Sequence, residues 1–231
     1  MKLDRKLHTW DVTHEEAIKL QKELAGDIKL EPLDKAVKYV AGGDISFNRK
    51  SNTAAAGFVI YDIEKQELVE KAVTSAPLNF PYIPGLLSFR EISPLLEAWK
   101  KLTTEPDAVM LDGHGVAHPR RFGLATHFGL WVDKPAMGCA KNVLTGEFKE
   151  PGNKKGEVAK LLHEDDIIGY VVRTRTNVNP VFVSAGHKIN HRKAVDVALR
   201  SSTRYKIPEP TRQAHLLVNE YRKSQEFFNH N

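Results

Sequence analysis

Ala108-Val109-Met110-Leu111-Asp112-Gly113-His114-Gly115 runs from four apolar residues straight into a carboxylate and then into a glycine-bearing loop. A short run that is apolar on both alternating faces reads as a central strand covered on both sides, the usual state of a parallel strand in an α/β sheet. Asp112 then stands at the strand's carboxyl end, where open α/β sheets present groups to ligands. Val116-Ala117-His118-Pro119-Arg120-Arg121-Phe122-Gly123 continues the loop and adds imidazole and guanidinium groups beside that carboxylate. Such a loop can hold a cation and a phosphate together.

Moving outward toward the N-terminus, Ser88 to Leu102 has the apolar spacing of a helix. Val37 to Phe47, Ala54 to Asp62 and Leu68 to Thr74 are short strand-like runs joined by polar turns. Connections that short favour an antiparallel meander. Residues 11 to 25 open on cap candidates and continue as an N-terminal helix. Toward the C-terminus come a helical segment near Arg121 to Trp131, a small apolar strand at Ala136 to Ala140, and a hairpin of Ile167 to Arg175 with Val181 to Ser184. Helices are expected at Lys188 to Ser201 and Pro210 to Phe228. Gly146 to Gly156, with Lys149, Lys154 and Lys155, is the best candidate for a mobile surface loop. The expected fold is therefore α/β: a ribonuclease H-like mixed central sheet, an antiparallel three-strand meander followed by parallel β/α units, flanked by helices. With 231 residues, 41% of them hydrophobic, and no low-complexity linker, the chain reads as one domain spanning 1–231.

Lysine and arginine number 34 against 29 acidic residues, a formal +5 that suits a polyanionic partner. No apolar run has signal-peptide or membrane-spanning length, so a cytoplasmic protein with no membrane partner is expected. Cys139 is the only cysteine. It excludes an intramolecular disulfide and, between small residues, reads as a buried thiol.

Two further acids occur in settings that bring them toward Asp112. Asp44 follows Tyr39-Val40-Ala41-Gly42-Gly43 and precedes Ile45-Ser46-Phe47, which puts a carboxylate inside a strand, where aspartate is disfavoured without a partner such as a cation. Its plainer reading is a turn residue after two glycines, and Asp112-Gly113 is likewise a common turn pair. The plainer reading of Glu91 is the completion of a capping box begun at Ser88, unless Ser93-Pro94 starts the helix instead. Carboxylates from separate elements form a platform for hard cations such as Mg²⁺, which can stabilise the attacking and leaving oxygens of phosphoryl transfer. Zinc would need His114, His118 and His127 in alignment, and Gly113, Gly115 and Pro119 make their stretch a poor helix. His215 lies in a helix that could cover the site, and Lys141 follows an apolar strand toward it. Arg120, Arg121, Arg173, Arg175, Lys188, Arg192 and Lys193 are basic groups for a phosphate rim, most of them expected to be ordinary solvated charges.

At these residues the chain resembles endonuclease V, a deaminated-base repair nuclease with a ribonuclease H-like fold. The resemblance runs from Gly43-Asp44-Ile45-Ser46-Phe47 through Pro81-Tyr82-Ile83-Pro84-Gly85-Leu86-Leu87-Ser88-Phe89-Arg90-Glu91, Asp112-Gly113-His114-Gly115 and His118-Pro119-Arg120. It continues through Gly123-Leu124-Ala125 and Lys141 to Ser184-Ala185-Gly186-His187 and Pro210-Thr211-Arg212. It implies that Asp44, Glu91 and Asp112 bind Mg²⁺, which Mn²⁺ can replace, with His215 beside them and Lys141 near the phosphate. It makes Pro81, Tyr82, Ile83 and Pro84 a rigid wedge that replaces a base in the stack. Gly85, Leu87, Gly113 and Gly123 would then shape a pocket for the displaced base, and His118, Arg120 and Arg121 would meet the nucleic acid. Hypoxanthine carries a carbonyl where adenine carries an amino group, so a backbone N–H at that position would tell them apart. The implied reaction is hydrolysis of the second phosphodiester 3′ of inosine in DNA, leaving a 3′ hydroxyl and a 5′ phosphate, by a monomer that initiates repair. An inosine-specific endoribonuclease acting on inosine-containing RNA and a catalytically silent lesion-binding protein are the alternatives.

Overall fold

The computed structural model describes residues 1–3, 5–48 and 51–228. Its centre is one nine-stranded sheet in the order β3-β2-β1-β4-β5-β9-β8-β7-β6. The first three strands, β1 (Tyr39–Asn48), β2 (Thr53–Asp62) and β3 (Glu67–Pro77), form the antiparallel meander read from the sequence. Chain reversal through α2 (Leu87–Trp99) lays β4 (Ala108–Leu111) parallel to β1, and α3 (Leu124–Val132) carries the chain to β5 (Ala136–Ala140), parallel to β4. These five strands are the ribonuclease H-like part of the sheet. Parallel pairing stops at β5, because β9 (Val181–His187) runs antiparallel to it and is reached through the antiparallel strands β6 (Glu147–Phe148), β7 (Val158–His163) and β8 (Asp166–Val172).

Alternation along the central strands sorts side chains onto two faces. Ala41, Phe58, Ile60, Val109 and Leu111 face α2 and α3, where Phe58, Trp99 and Phe128 pack with ring centroids 5.3–5.5 Å apart. Such edge and tilted contacts add to burial, and trimming Phe58 to alanine would cost about 3–5 kcal/mol. Val40, Ala108, Met110, Met137 and Val183 face the other way, with α4 (His191–Arg200) presenting Ala194, Val197 and Ala198 to that side. The final helix, α5 (Glu209–Phe228), lies against β1 and β2. Gly42 permits that approach: a Cβ there would stand 2.1 Å from the Pro210 backbone.

The N-terminal helix α1 (His14–Leu24) begins with a complete capping box, Thr13 accepting from the Glu16 N–H and Glu16 accepting from the Thr13 N–H. It buries only Ala17 and Gln21. Helix α2 begins without a side-chain cap, so Ser88 and Glu91 do not form the capping box considered above. Pro94 lies inside that helix and does not start it; the missing N–H leaves out one bond within the helix.

The stretch Gly146 to Gly156 lies on the surface, as read, and contains the short strand β6. Its residues 150–152 are anchored: the buried Arg173 guanidinium donates to the Gly152 carbonyl at 2.9 Å, the Pro151 carbonyl at 2.9 Å and the Glu150 carboxylate at 2.8 Å, and also to the Val178 carbonyl at 2.7 Å. A buried guanidinium needs its donors satisfied, and these carbonyls satisfy them. Arg173 is thus a strut and no part of a phosphate rim. No helix among the described residues is long and apolar enough to cross a membrane.

Candidate nuclease site

Parallel register brings the first two acids together. Gly43 pairs with Leu111, so Asp44 and Asp112 follow at the same step of neighbouring strands. Glu91 arrives from α2, where it is buried. Its carboxyl is pushed up to about 8, first by burial and then by Asp44 and Asp112, with Arg90 opposing. Asp44 is also raised, by burial first and by Asp112 next, against the Ile45 N–H and His215. Asp44 and Glu91 are each raised in part by the charge of Asp112, so the corner is short of positive charge.

Two neighbours supply some. The Lys141 ammonium donates to the Asp112 carboxylate. Burial opposes the charge on Lys141, and the hydrogen bond to Asp112 outweighs it and holds its pKa above the usual lysine range. The His215 imidazole meets the Asp44 carboxylate at 2.7 Å between Nδ1 and Oδ2. Asn219, one turn later on α5, has its amide nitrogen 3.2 Å from His215 Nε2 and 2.8 Å from the His215 carbonyl. If that amide donates to Nε2, Nδ1–H is left to donate to Asp44. Ser46 Oγ in turn donates to Asn219 Oδ1 at 2.9 Å and accepts from Arg222 Nε at 2.9 Å. Asn219 and Ser46 were not singled out in the sequence; the only available signal was that Asn219 falls four residues after His215, on one helix face.

The carboxylates are hard oxygen donors of the kind that hold Mg²⁺. Among the described residues no three His, Cys, Asp or Glu side chains are already closed round a common centre. Lys141 and His215 instead engage two of the three acids. The elevated Glu91 carboxyl is the property that fits a cation: a second positive charge at this spot would let it ionise. Zinc does not fit the histidines. His118 Nε2 lies 3.1 Å from the Gly85 carbonyl, while His127 sits between Ser88 Oγ at 3.0 Å and His8 Nε2 at 2.7 Å. Cys139 is buried, and burial pushes its thiol up, as befits an inert group.

Next to the acids is a cavity of about 180 Å³, lined by Tyr82, Ile83, Pro84, Gly85 and Leu87 on one side and Gly113, His114, His118, Phe122 and Gly123 on the other. All four glycine and leucine positions expected to shape a pocket are in this wall. Pro81 and Pro84 flank Tyr82, which is 70% exposed, while Ile83 packs toward Phe80, Leu86 and Phe89. Gly85 has φ +79°, a conformation open to glycine, and a Cβ there would stand 2.8 Å from Arg120 Nη2. His118 and Arg120 point at the Gly85 carbonyl, Arg120 Nη2 at 2.8 Å, and His118 is buried. Burial and Arg120 lower His118 to about 4, so it is neutral and donates through Nε2 while its Nδ1 accepts from the Arg120 N–H. Arg121 reaches His163 and Asp166. Of the three groups read as nucleic-acid contacts, two are therefore engaged within the pocket wall and the third on the β7–β8 turn.

A 3-2-1-4-5 mixed sheet with converging carboxylates beside a cavity and an exposed tyrosine defines a nuclease of the ribonuclease H-like class. A family model described as Endonuclease V matches residues 22–216, and the chain belongs to the endonuclease V family. It is 47% identical over 203 residues to the endonuclease V of Dictyoglomus turgidum, covering 88% of each chain. Among solved structures, the endonuclease V of Streptomyces avermitilis superposes with a TM-score of 0.90 at 38% identity, covering 94% of this chain and 96% of that one. The Ciona intestinalis endonuclease V, in complex with a 24-mer DNA containing an inosine followed by a ribo-adenosine, superposes with a TM-score of 0.80 at 29% identity, covering 91% and 98%.

Proposed function

We propose that this chain is a Mg²⁺-dependent endonuclease that recognises deaminated bases, chiefly inosine in DNA, and hydrolyses the second phosphodiester 3′ to the lesion, leaving a 3′ hydroxyl and a 5′ phosphate. The observation that carries the reading is the convergence of Asp44, Glu91 and Asp112, with Glu91 raised to about 8, directly beside the cavity under Tyr82. The inosine-bearing DNA held by the Ciona relative supports the choice of lesion.

Asp44, Glu91 and Asp112 would hold the cation, with His215 beside them and Mn²⁺ able to substitute. A divalent cation held there would supply Lewis-acid polarisation of the phosphate and a more acidic water, and would help the 3′ oxygen to depart. The chain's own groups prepare this. Lys141 carries a full positive charge beside Asp112 and is placed to meet a phosphate oxygen. His215 keeps Asp44 oriented, and Asn219 keeps His215 oriented. Tyr82, held between two prolines, takes the place of the displaced base in the stack. Gly85 and Gly113 let the backbone approach the base edge closely, where a free N–H can tell the hypoxanthine carbonyl from the adenine amino group.

Cleavage of end-labelled single- and double-stranded DNA carrying one inosine, in Mg²⁺ and in chelator, tests this. A metal-dependent cut at the second bond 3′ of inosine is expected, and tight binding with no cut on any substrate would make the chain a silent recognition protein. The ribo-adenosine in the Ciona complex motivates a second reading, an inosine-specific endoribonuclease, and a matched inosine-containing RNA in the same assay decides between them.

A further inference from the structure

The cavity beside the acids has two walls from distant parts of the chain, the loop ending in Gly85 and the loop ending in Phe122. Gln21 joins them. Its amide nitrogen donates to the Gly85 carbonyl at 3.0 Å and to the Phe122 carbonyl at 3.1 Å, using both hydrogens. Its amide oxygen accepts from Arg120 Nε at 2.5 Å, and since a guanidinium can only donate, the orientation of the amide is determined. Gln21 is 1% exposed, and burying a glutamine on a helix with only one other buried residue calls for a return. The same helix packs its Ala17 and Ile18 against Phe80, Leu86 and Ile83, at the root of the exposed Tyr82. Arg120 and His118 then add two more donors to the Gly85 carbonyl.

We infer that Gln21 is a positioning residue for base recognition: it fixes the spacing of the two cavity walls and the direction of the Gly85 peptide. This rests on the proposed lesion-recognising function. With the Gly85 carbonyl held inward by Gln21, His118 and Arg120, the adjoining peptide groups that line the cavity cannot turn, and the hydrogen-bond pattern offered to a base is set in advance. Without the glutamine amide, each wall keeps its own contacts and the link between them is lost. Discrimination between bases then weakens, while the acidic cluster, which Gln21 does not touch, is unchanged.

Gln21→Glu is the decisive variant, because it keeps the shape and the acceptor for Arg120 and loses both donated bonds. Gln21→Met, which adds no charge, covers the case in which a buried carboxylate prevents folding. Two readouts are taken from each: the ratio of kcat/KM for inosine- over adenine-containing DNA, and amide hydrogen exchange across residues 80–87, 113–123 and the strands β1 and β4. The selectivity ratio is expected to fall about tenfold, the size of one or two neutral hydrogen bonds. Exchange is expected to quicken in both loops and to stay unchanged in β1 and β4. A general loss of folding would lower both rates together and quicken the strands as well, so it would not move the ratio. Unchanged selectivity with unchanged loop exchange overturns the inference. If the wild-type chain does not cleave inosine-containing DNA, the functional reading has failed, and the exchange measurement alone decides whether Gln21 couples the walls.

Discussion

Asp44, Glu91 and Asp112 crowd like charges into a half-buried corner, whereas a few residues away Gln21, Gly85, His118 and Arg120 satisfy one another's hydrogen bonds. The first region is under electrostatic strain that a cation would relieve, which on the proposed function would let its groups change state on binding metal and substrate. The second is already complete, which suits a surface that must present one fixed pattern to a base. A binding wall and a reacting centre thus call for opposite degrees of internal satisfaction, and the loop from Asp112 to Gly123 contributes residues to both.

Replacing a carboxylate tests the contrast most severely. Asp112→Asn is expected to lower cleavage roughly ten-thousandfold, about 5 kcal/mol of transition-state stabilisation, while affinity for inosine-containing DNA stays near wild type in a gel-shift titration. Equal loss of binding and cleavage would merge the two regions. The next largest effect concerns Glu91. A carboxyl raised from 4.5 to about 8 holds its proton in the folded state where the unfolded chain has lost it. Its contribution to stability is therefore complete below about pH 4.5 and disappears as pH rises through about 8. In chelator, denaturant melts between these values are expected to show a loss on the order of a few kcal/mol. Glu91→Gln or added Mg²⁺ should remove most of that loss; a flat profile in the wild type would mean the acids are not under strain.

Tyr82→Ala acts on the other region. Loss of a stacking platform is worth about 1–3 kcal/mol per base, so preference for inosine-containing over intact DNA should fall by that amount with Mg²⁺ affinity unmoved, measured by competition binding and by calorimetry. Asn219→Ala is the smallest, about tenfold in activity, in line with removing a group that orients a site residue through its neighbour. Rescue by Asn219→Gln is not expected, because the longer side chain moves the amide away from His215 Nε2.

Much of this frame is legible in the sequence. The runs Val37 to Phe47, Ala54 to Asp62 and Ala108 to Leu111 alternate or stay apolar as their burial demands, so the strands fall within two or three residues of where they are read. Asp44 could be suspected because an aspartate inside a strand is out of place by itself. Strand β7 escapes because its apolar residues do not follow its faces: burial alternates, with Leu161 buried, but Val158 and Leu162 stand on the exposed side. The anchoring of Pro151 and Gly152 within the Gly146 to Gly156 segment is not legible, because backbone carbonyls bound by Arg173 leave no mark in a list of side chains. Gln21 was equally hidden: a glutamine on an N-terminal helix reads as surface until the loops carrying Gly85 and Phe122 are brought to it from 64 and 101 residues away.

The contact between Asp44 and His215 spans 171 residues and depends on α5 settling over Gly42. Loop closure of that length is slow compared with forming the local meander. During synthesis the acids and the segments that line the cavity therefore leave the ribosome before α5, and until that helix docks on β1 and β2 Asp44 lacks its His215 partner.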